Sequence, residues 1–429
     1  MHNETAHALL EFIRRSPSCY HVVENLKGML EDFRLLREED TWTLEPGRRY
    51  CVTRNGSSLI AIRLPRGPLN RLRIAAAHSD FPSFKLKPNA ELVQEGYRKL
   101  NTEKYGGVLF SPWLDRPLSA AGRVMVRSGS GLAVRLVNLD RDLCLIPSLA
   151  IHMDRTLNDG YAFNPQVDLL PLLGEADSGP AFLSLLAQEV GVAPEDVLDY
   201  DLYLYNRTPG TIWGARGEYL STRSLDDLQC VWPLAQGFLR SEESEDCGAV
   251  LCVFDSEEVG SGSRQGAGST FLTDVLERVF VALGLDAQGR RRILARSTLV
   301  SADNAHAVHP NRPEKADPTN RPRLNGGIVL KYNAAQRYTT DALSAAWFKL
   351  LCEAAQVPWQ SYVNRSDVLG GTTLGCIALR RLGISAIDIG LPQLAMHSPY
   401  ETAGVRDTEY LLRAMSVYFS GTGVPTELS

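Results

Sequence analysis

The run GAVLCVF at 248–254 is wholly apolar and breaks at once into DSEEVGSGS at 255–263. A short apolar run bounded by polar and glycine-rich turns reads as a buried strand. Its exit is the tighter constraint. Asp255, Glu257 and Glu258 place three carboxylates within four residues, and Gly260 and Gly262 follow to let the backbone turn. Carboxylates so close raise one another's pKa unless they point apart into water or a cation sits among them.

Beyond about residue 221 the same alternation recurs. ILARSTLVS (293–301), GGIVLKY (326–332) and ISAIDIGL (384–391) are expected strands. Helical spacing appears at 264–284, 341–355, 370–383 and 406–420. The N-terminal part offers helices at 4–15 and 20–33, then strands at 49–53, 58–64 and 71–77. Segment 85–225 differs, with short alternating runs (GRVMVRS, GLAVRLVNL, DLYLYN) between glycine, proline and polar turns, and a helical piece at 180–191. The expected fold is α/β, with a mostly parallel central sheet flanked by helices. That domain would comprise residues 1–85 and 221–429, interrupted by a mainly β dimerisation or lid domain at 86–220.

Bulk composition narrows the function classes. A chain of 429 residues, 44% of them hydrophobic, can bury a large core. A net charge of −5 argues against a nucleic-acid binder that depends on a basic surface. The eight cysteines form no CxxC pair, so a reduced, cytoplasmic protein is the simplest expectation. No apolar stretch approaches the length of a membrane span, and the N-terminus lacks a secretory signal.

In open parallel sheets, ligands bind outside the carboxyl ends of the strands. RLRIAAA ends at His78 and Asp80, and GAVLCVF at Asp255, Glu257 and Glu258. ILARSTLVS leads to Asp303, GGIVL delivers Lys331, and ISAIDIGL is followed by PQLAMHSPYE with His397. Asp226 and Asp227, in SLDDLQ, precede an expected helix. Singly, each has a mundane role as loop residue or helix cap. Together, two histidines and several carboxylates at one sheet edge form the donor mixture of zinc and its neighbours. Two such metals about 3.5–4 Å apart, bridged by a carboxylate, are a recurrent hydrolytic device.

The blocks HSDFPSFKLKPN, YGGVLFSPWLDRPLSAAGRV, IPSLAIHMDR, SLDDLQ, DSEEVGSGSRQGAGS, SADNAHAVHPN, GGIVLKYNAAQRY and PQLAMHSPYE occur in this order. They resemble the successive blocks of the aspartyl aminopeptidase family of co-catalytic zinc peptidases, over about residues 8–420. The resemblance implies two divalent metal ions per subunit, zinc first, with cobalt or manganese as alternatives. His78, Glu258, Asp303 and His397 would be terminal ligands and Asp226 the bridge. Asp80 would orient the His78 imidazole. Glu257 would be the general base acting on water. His306 would donate to the developing oxyanion, while His309 reads as loop packing. Lys331 and Tyr338 would meet the acidic side chain of an N-terminal Asp or Glu. His152 would reach a neighbouring subunit's site, because the family builds tetrahedral shells of twelve subunits from dimers. The substrate would be a peptide with a free N-terminus, and neither nucleic acid nor membrane is an expected partner.

Two departures stand out. SLDDLQ has Asp227 where the family more commonly has asparagine, and HSD replaces the commoner HTD. Three rival readings remain. If Lys331 only makes an internal salt bridge, the enzyme is a broad-specificity aminopeptidase. A non-catalytic assembly or cargo protein would be expected to have lost a ligand or Glu257, and all are present. A metal-dependent deacylase is disfavoured by the match within the inserted segment.

Overall fold

Alternation along the strands decides the layering. In strand Cys247–Phe254, Leu251 and Val253 pack into one buried cluster, and Val250, Cys252 and Phe254 into a second. In strand Arg71–His78, Ala75 and Ala77 face the first cluster, while Leu72, Ile74 and Ala76 face the second. Successive side chains on a strand point to opposite faces, so both strands are covered on both sides. Helices His2–Arg15, Cys19–Met29, Leu225–Arg240, Ala342–Ala354 and Asp407–Ser420 cover one face. Helices Phe271–Ala282 and Ala287–Ala295 cover the other. The computed structural model describes residues 2–371, 373–375, 377 and 382–421. Six of the fourteen residues of the helix expected at 370–383 lie outside them.

The central sheet has nine strands, in the order 34–36, 49–54, 58–63, 247–254, 71–78, 298–302, 385–390, 328–332 and 359–363. The four strands 247–254, 71–78, 298–302 and 385–390 run mutually parallel. This is the α/β fold expected, with three antiparallel pairings toward the edges. One of them matters. Strand Ile328–Tyr332 runs antiparallel to Ser385–Gly390, so Lys331 stands on a strand opposed in direction to that neighbour. Asp286 also redraws an expected strand. Its side chain accepts from the Gly289 N–H and caps helix Ala287–Ala295, which absorbs the first residues of ILARSTLVS, so the strand begins at Thr298.

A second, antiparallel sheet of six strands spans Ser83–Asn206, in the order 131–138, 118–128, 197–206, 83–94, 97–105 and 172–175. Phe84, Trp113, Leu202 and Phe182 fill its own core. Strands Thr211–Trp213 and Tyr219–Thr222 belong instead to a five-stranded sheet with 401–404, 392–394 and 305–306. That small sheet carries chain to within a few residues of Asp226, Asp303 and His397.

Candidate active site

His78 is the last residue of its strand and is paired with Phe254, so the sheet register sets it beside the start of DSEEVGSGS. Asp303 directly follows strand Thr298–Ala302. Asp226 enters at the head of helix Leu225–Arg240 with non-helical backbone angles. Its peptide bond to Asp227 is cis. Glu257 and Glu258 open a single 3₁₀ turn, Glu257–Val259. Ser224, Ser256 and His397 have φ of 54°, 65° and 67°. Non-glycine residues rarely adopt such left-handed conformations, which concentrate where surrounding structure holds functional side chains. Gly260 closes the Glu257–Val259 turn at φ 94°, whereas Gly262 needs no left-handed conformation.

These segments bring the predicted donors together. Ligand-capable atoms of His78, Asp226, Asp227 and Asp303 lie within 4.8 Å of one another, as do those of Asp226, Glu258 and His397. A third such group joins His78, Glu257 and Glu258. Asp226 is shared by the first two. Its Oδ1 lies 3.4 Å from His78 Nε2, and its Oδ2 lies 3.5 Å from His397 Nε2. Glu258 Oε2 is 3.4 Å from the same His397 nitrogen.

The tautomers show what this cluster accommodates. His78 Nδ1 faces the Asp80 carbonyl oxygen at 3.0 Å, and His397 Nδ1 faces the Gly107 carbonyl oxygen at 3.0 Å. A carbonyl only accepts, so both rings carry a proton on Nδ1. Each Nε2 is then a lone pair directed at carboxylates, unless the ring is protonated. Buried Asp226 Oδ1 and Asp227 Oδ1 have no hydrogen-bond partner among the described residues. Buried acceptors facing acceptors are costly unless a cation lies between them. The residues present therefore fit divalent metal ions.

The electrostatics agree. Burial alone would lower the His78 pKa, but Asp227, Asp226 and Asp80 carry it well above its ordinary value. The same opposition leaves His397 pushed up to about 10, with Asp226 and Glu258 outweighing burial. Burial pushes Glu257 up to about 8, with Asp303, Asp80 and Asp226 adding to it and His78 opposing. Glu258 is likewise raised well above its ordinary value, by burial and then by Asp226. Without a metal, the cluster thus holds protons where a metal would place positive charge.

A cavity of about 510 Å³ opens over the cluster. It is lined by Asp226, Glu257, Glu258, Asp303, His306, Lys331, Tyr338, Tyr362, Thr373 and His397. Lys331 is 3% exposed, and its Nζ lies 3.5 Å from Asp303 Oδ2 and 5.5 Å from the Tyr338 ring centre. His306 sits exposed at the cavity wall, edge-on to Tyr362. His152 does not line the cavity; it lies on an exposed turn of the second sheet's layer. His309 lies in an adjoining surface recess.

Several residues act differently from the sequence reading, or were missed by it. The Asp80 side chain is 3.5 Å from His78 Nδ1, while its backbone oxygen makes the closer contact. Its carboxylate also accepts from the N–H groups of Glu257 and Glu258, at 3.1 and 3.2 Å. Asp227 is fully buried and accepts from the His78 N–H at 3.2 Å. Asp255 is absent from the three ligand groups; it accepts from the Ser256 N–H and from Gln265 Nε2, and burial pushes it up to about 6. Glu401 went unassigned, although its carboxylate accepts from the N–H groups of both Asp226 (3.0 Å) and His397 (2.7 Å). Only an acid following a histidine by four residues in PQLAMHSPYE signals it.

Comparison with known proteins converges on one family. The model of the peptidase family M18, described as aminopeptidase I zinc metalloprotease, matches residues 12–419. A relative from Clostridium novyi, named a probable M18 family aminopeptidase 2, is 42% identical over 426 residues, covering 97% of this chain and 98% of the relative. A chain in the cryo-EM structure of the Ape4 and Nbr1 complex superposes with a TM-score of 0.94 at 37% identity, covering 98% of this chain and 86% of that one. The S. cerevisiae mApe1 dodecamer superposes with a TM-score of 0.86 at 26% identity, covering 97% of this chain and 96% of that one. A histidine and carboxylate cluster on this fold, matched over nearly the whole length, makes the chain a metallo-aminopeptidase belonging to the M18 family.

Proposed function

We propose that this chain removes the N-terminal residue of peptides with a preference for Asp and Glu, using a pair of divalent cations and Glu257 as general base. The observation that carries the reading is Asp226, whose two oxygens face the Nε2 atoms of two histidines. One ion would be held by His78, Asp226 and Asp303, and the other by Asp226, Glu258 and His397. Zinc is the metal of the family description, and cobalt and manganese, which accept the same imidazole and carboxylate donors, would substitute for it. When bound, such a pair supplies Lewis acidity that activates water and polarises the scissile carbonyl.

Glu257 belongs to neither ligand group that contains Asp226, yet it lines the same cavity. It takes the proton of the attacking water and passes it to the leaving amine. His306, at the cavity wall, donates to the oxyanion. Lys331 and Tyr338 receive the acidic side chain. A carboxylate committed to a divalent cation is no longer a full counter-charge for an ammonium, so Asp303 leaves Lys331 free to attract a substrate carboxylate.

Assembly completes the reading. Leu149, Ile151 and Met153, which flank His152, are 45%, 43% and 75% exposed, an apolar surface suited to a partner chain. The layer at 86–220 would pair subunits into dimers and these into a tetrahedral dodecamer, His152 entering the neighbour's site. A cytoplasmic location is supported by the seven cysteines among the described residues, all free and buried. Among the described residues, no helix is long and apolar enough to cross a membrane.

The Lys331–Asp303 pair at 3.5 Å favours a second reading, a broad-specificity aminopeptidase in which Lys331 is structural. Hydrolysis of Asp-, Glu- and Leu-anilides by wild type, Lys331→Ala and Glu257→Gln separates the two. Lys331→Ala should lower kcat/KM on the acidic substrates roughly 10- to 100-fold and leave Leu-anilide within about threefold. Glu257→Gln should cost about a hundred- to ten-thousand-fold on every substrate. A wild type fastest on Leu-anilide, with acidic rates untouched by Lys331→Ala, overturns the specificity claim.

A further inference from the structure

Tyr105 reaches the edge of the catalytic cluster from the six-stranded sheet. It ends strand Tyr97–Tyr105 of the six-stranded sheet, where it pairs with Ser83, and its ring packs edge-on against Tyr203 at 5.4 Å. The Tyr105 hydroxyl donates to Asp80 Oδ2 at 2.8 Å. That is the shortest of the three bonds the Asp80 carboxylate accepts, the others coming from the Glu257 and Glu258 N–H groups. Oδ2 also accepts from the Glu258 N–H, and Oδ1 from the Glu257 N–H, so a carboxylate fixed by the phenol holds both amides in one place. The next two residues close on the same cluster. A side chain at Gly106 (φ 75°) would meet Glu258 Cβ at 3.1 Å, and the Gly107 oxygen accepts from His397 Nδ1.

We infer that Tyr105 is a positioning residue for the reaction: through Asp80 it locks the Glu257–Glu258 turn, and so sets where the Glu257 carboxyl stands over the cavity. The six-stranded sheet thereby contributes to the chemistry within its own chain, apart from any part it plays between subunits. This rests on the reading of Glu257 as general base. It also explains why a strand of the second sheet ends in Tyr-Gly-Gly. The phenol must reach Asp80, and a side chain at Gly106, where φ is 75°, would be strained and would crowd Glu258.

The test uses the full-length chain with Tyr105→Phe, Asp80→Asn, the double variant, and Tyr203→Phe as a control that removes the neighbouring phenol. In the zinc-loaded enzyme, Tyr105→Phe should lower kcat on Asp-anilide about tenfold with KM within about twofold. In the Asp80→Asn background it should cost less than about twofold more, because residues acting in one chain of contacts are not additive. Tyr203→Phe should leave kcat unchanged. In the chelator-treated protein, amide exchange in the peptide carrying residues 256–259 should quicken in Tyr105→Phe and not in Tyr203→Phe. Wild-type kcat and unchanged exchange in Tyr105→Phe, or losses that add to those of Asp80→Asn, overturn the inference. If Glu257→Gln keeps near wild-type activity, the reading of the base fails instead, and the two failures remain distinguishable.

Discussion

The two halves of the proposed metal site are built by different means. His78 and Asp303 stand at the ends of adjacent parallel strands, and the His78 side chain is 1% exposed. Glu258 and His397 come from turns, and the His397 side chain is 30% exposed. On the strand side, sheet register sets the spacing of His78 and Asp303, and Asp227 and the Asp80 carbonyl hold the His78 N–H and ring. On the turn side, position is imposed by distant segments. Gly107 holds the His397 ring, Glu401 its N–H, and Asp80 the N–H of Glu258. The strand-side half should therefore survive perturbations that dissolve the turn-side half.

The largest effect should come from removing a turn-side ligand. His397→Ala should keep about one equivalent of zinc, held by His78, Asp226 and Asp303, while activity falls about a thousandfold. Metal analysis of the dialysed variant checks this. Loss of both equivalents would mean that the strand-side half is not independently organised.

A smaller effect concerns pH. His397 is pushed up to about 10, so it binds a proton in the metal-free chain near neutrality, and Glu258 is shifted in the same direction, well above its ordinary value. Ligands must be deprotonated to bind metal, so loading should release protons and apparent affinity should weaken as pH falls. Calorimetric titration with zinc in two buffers of different ionisation enthalpy measures the release. No dependence on buffer would contradict the raised values and the protonated, metal-free cluster they imply.

The same contrast governs what is legible in the sequence. Strand ends are local, so the apolar runs GAVLCVF and RLRIAAA by themselves point to Glu257, Glu258 and His78. Lys331 reaches the cavity as the edge rule expects, but from a strand antiparallel to its neighbour, because strand direction depends on pairing partners that periodicity does not name. The rule is silent on Glu401 and Tyr105, whose roles arise from contacts 175 and 25 residues away. Asp80 is legible as an acid near a ligand. Its grip on the Glu257–Glu258 turn, rather than mainly on the imidazole, depends on where residues 177 positions later return. Helix Ala287–Ala295 overruns an expected strand because capping by Asp286 outweighs an apolar run.

The central claim is that Asp226 joins two cations in one site. Elemental analysis of metal per chain, on zinc-reconstituted wild type and Asp226→Ala, tests it most directly. The account predicts two equivalents in the wild type, and loss of both from the variant together with its activity. Fewer than one equivalent in the wild type, with no peptidase activity after zinc, manganese or cobalt is added, would contradict it.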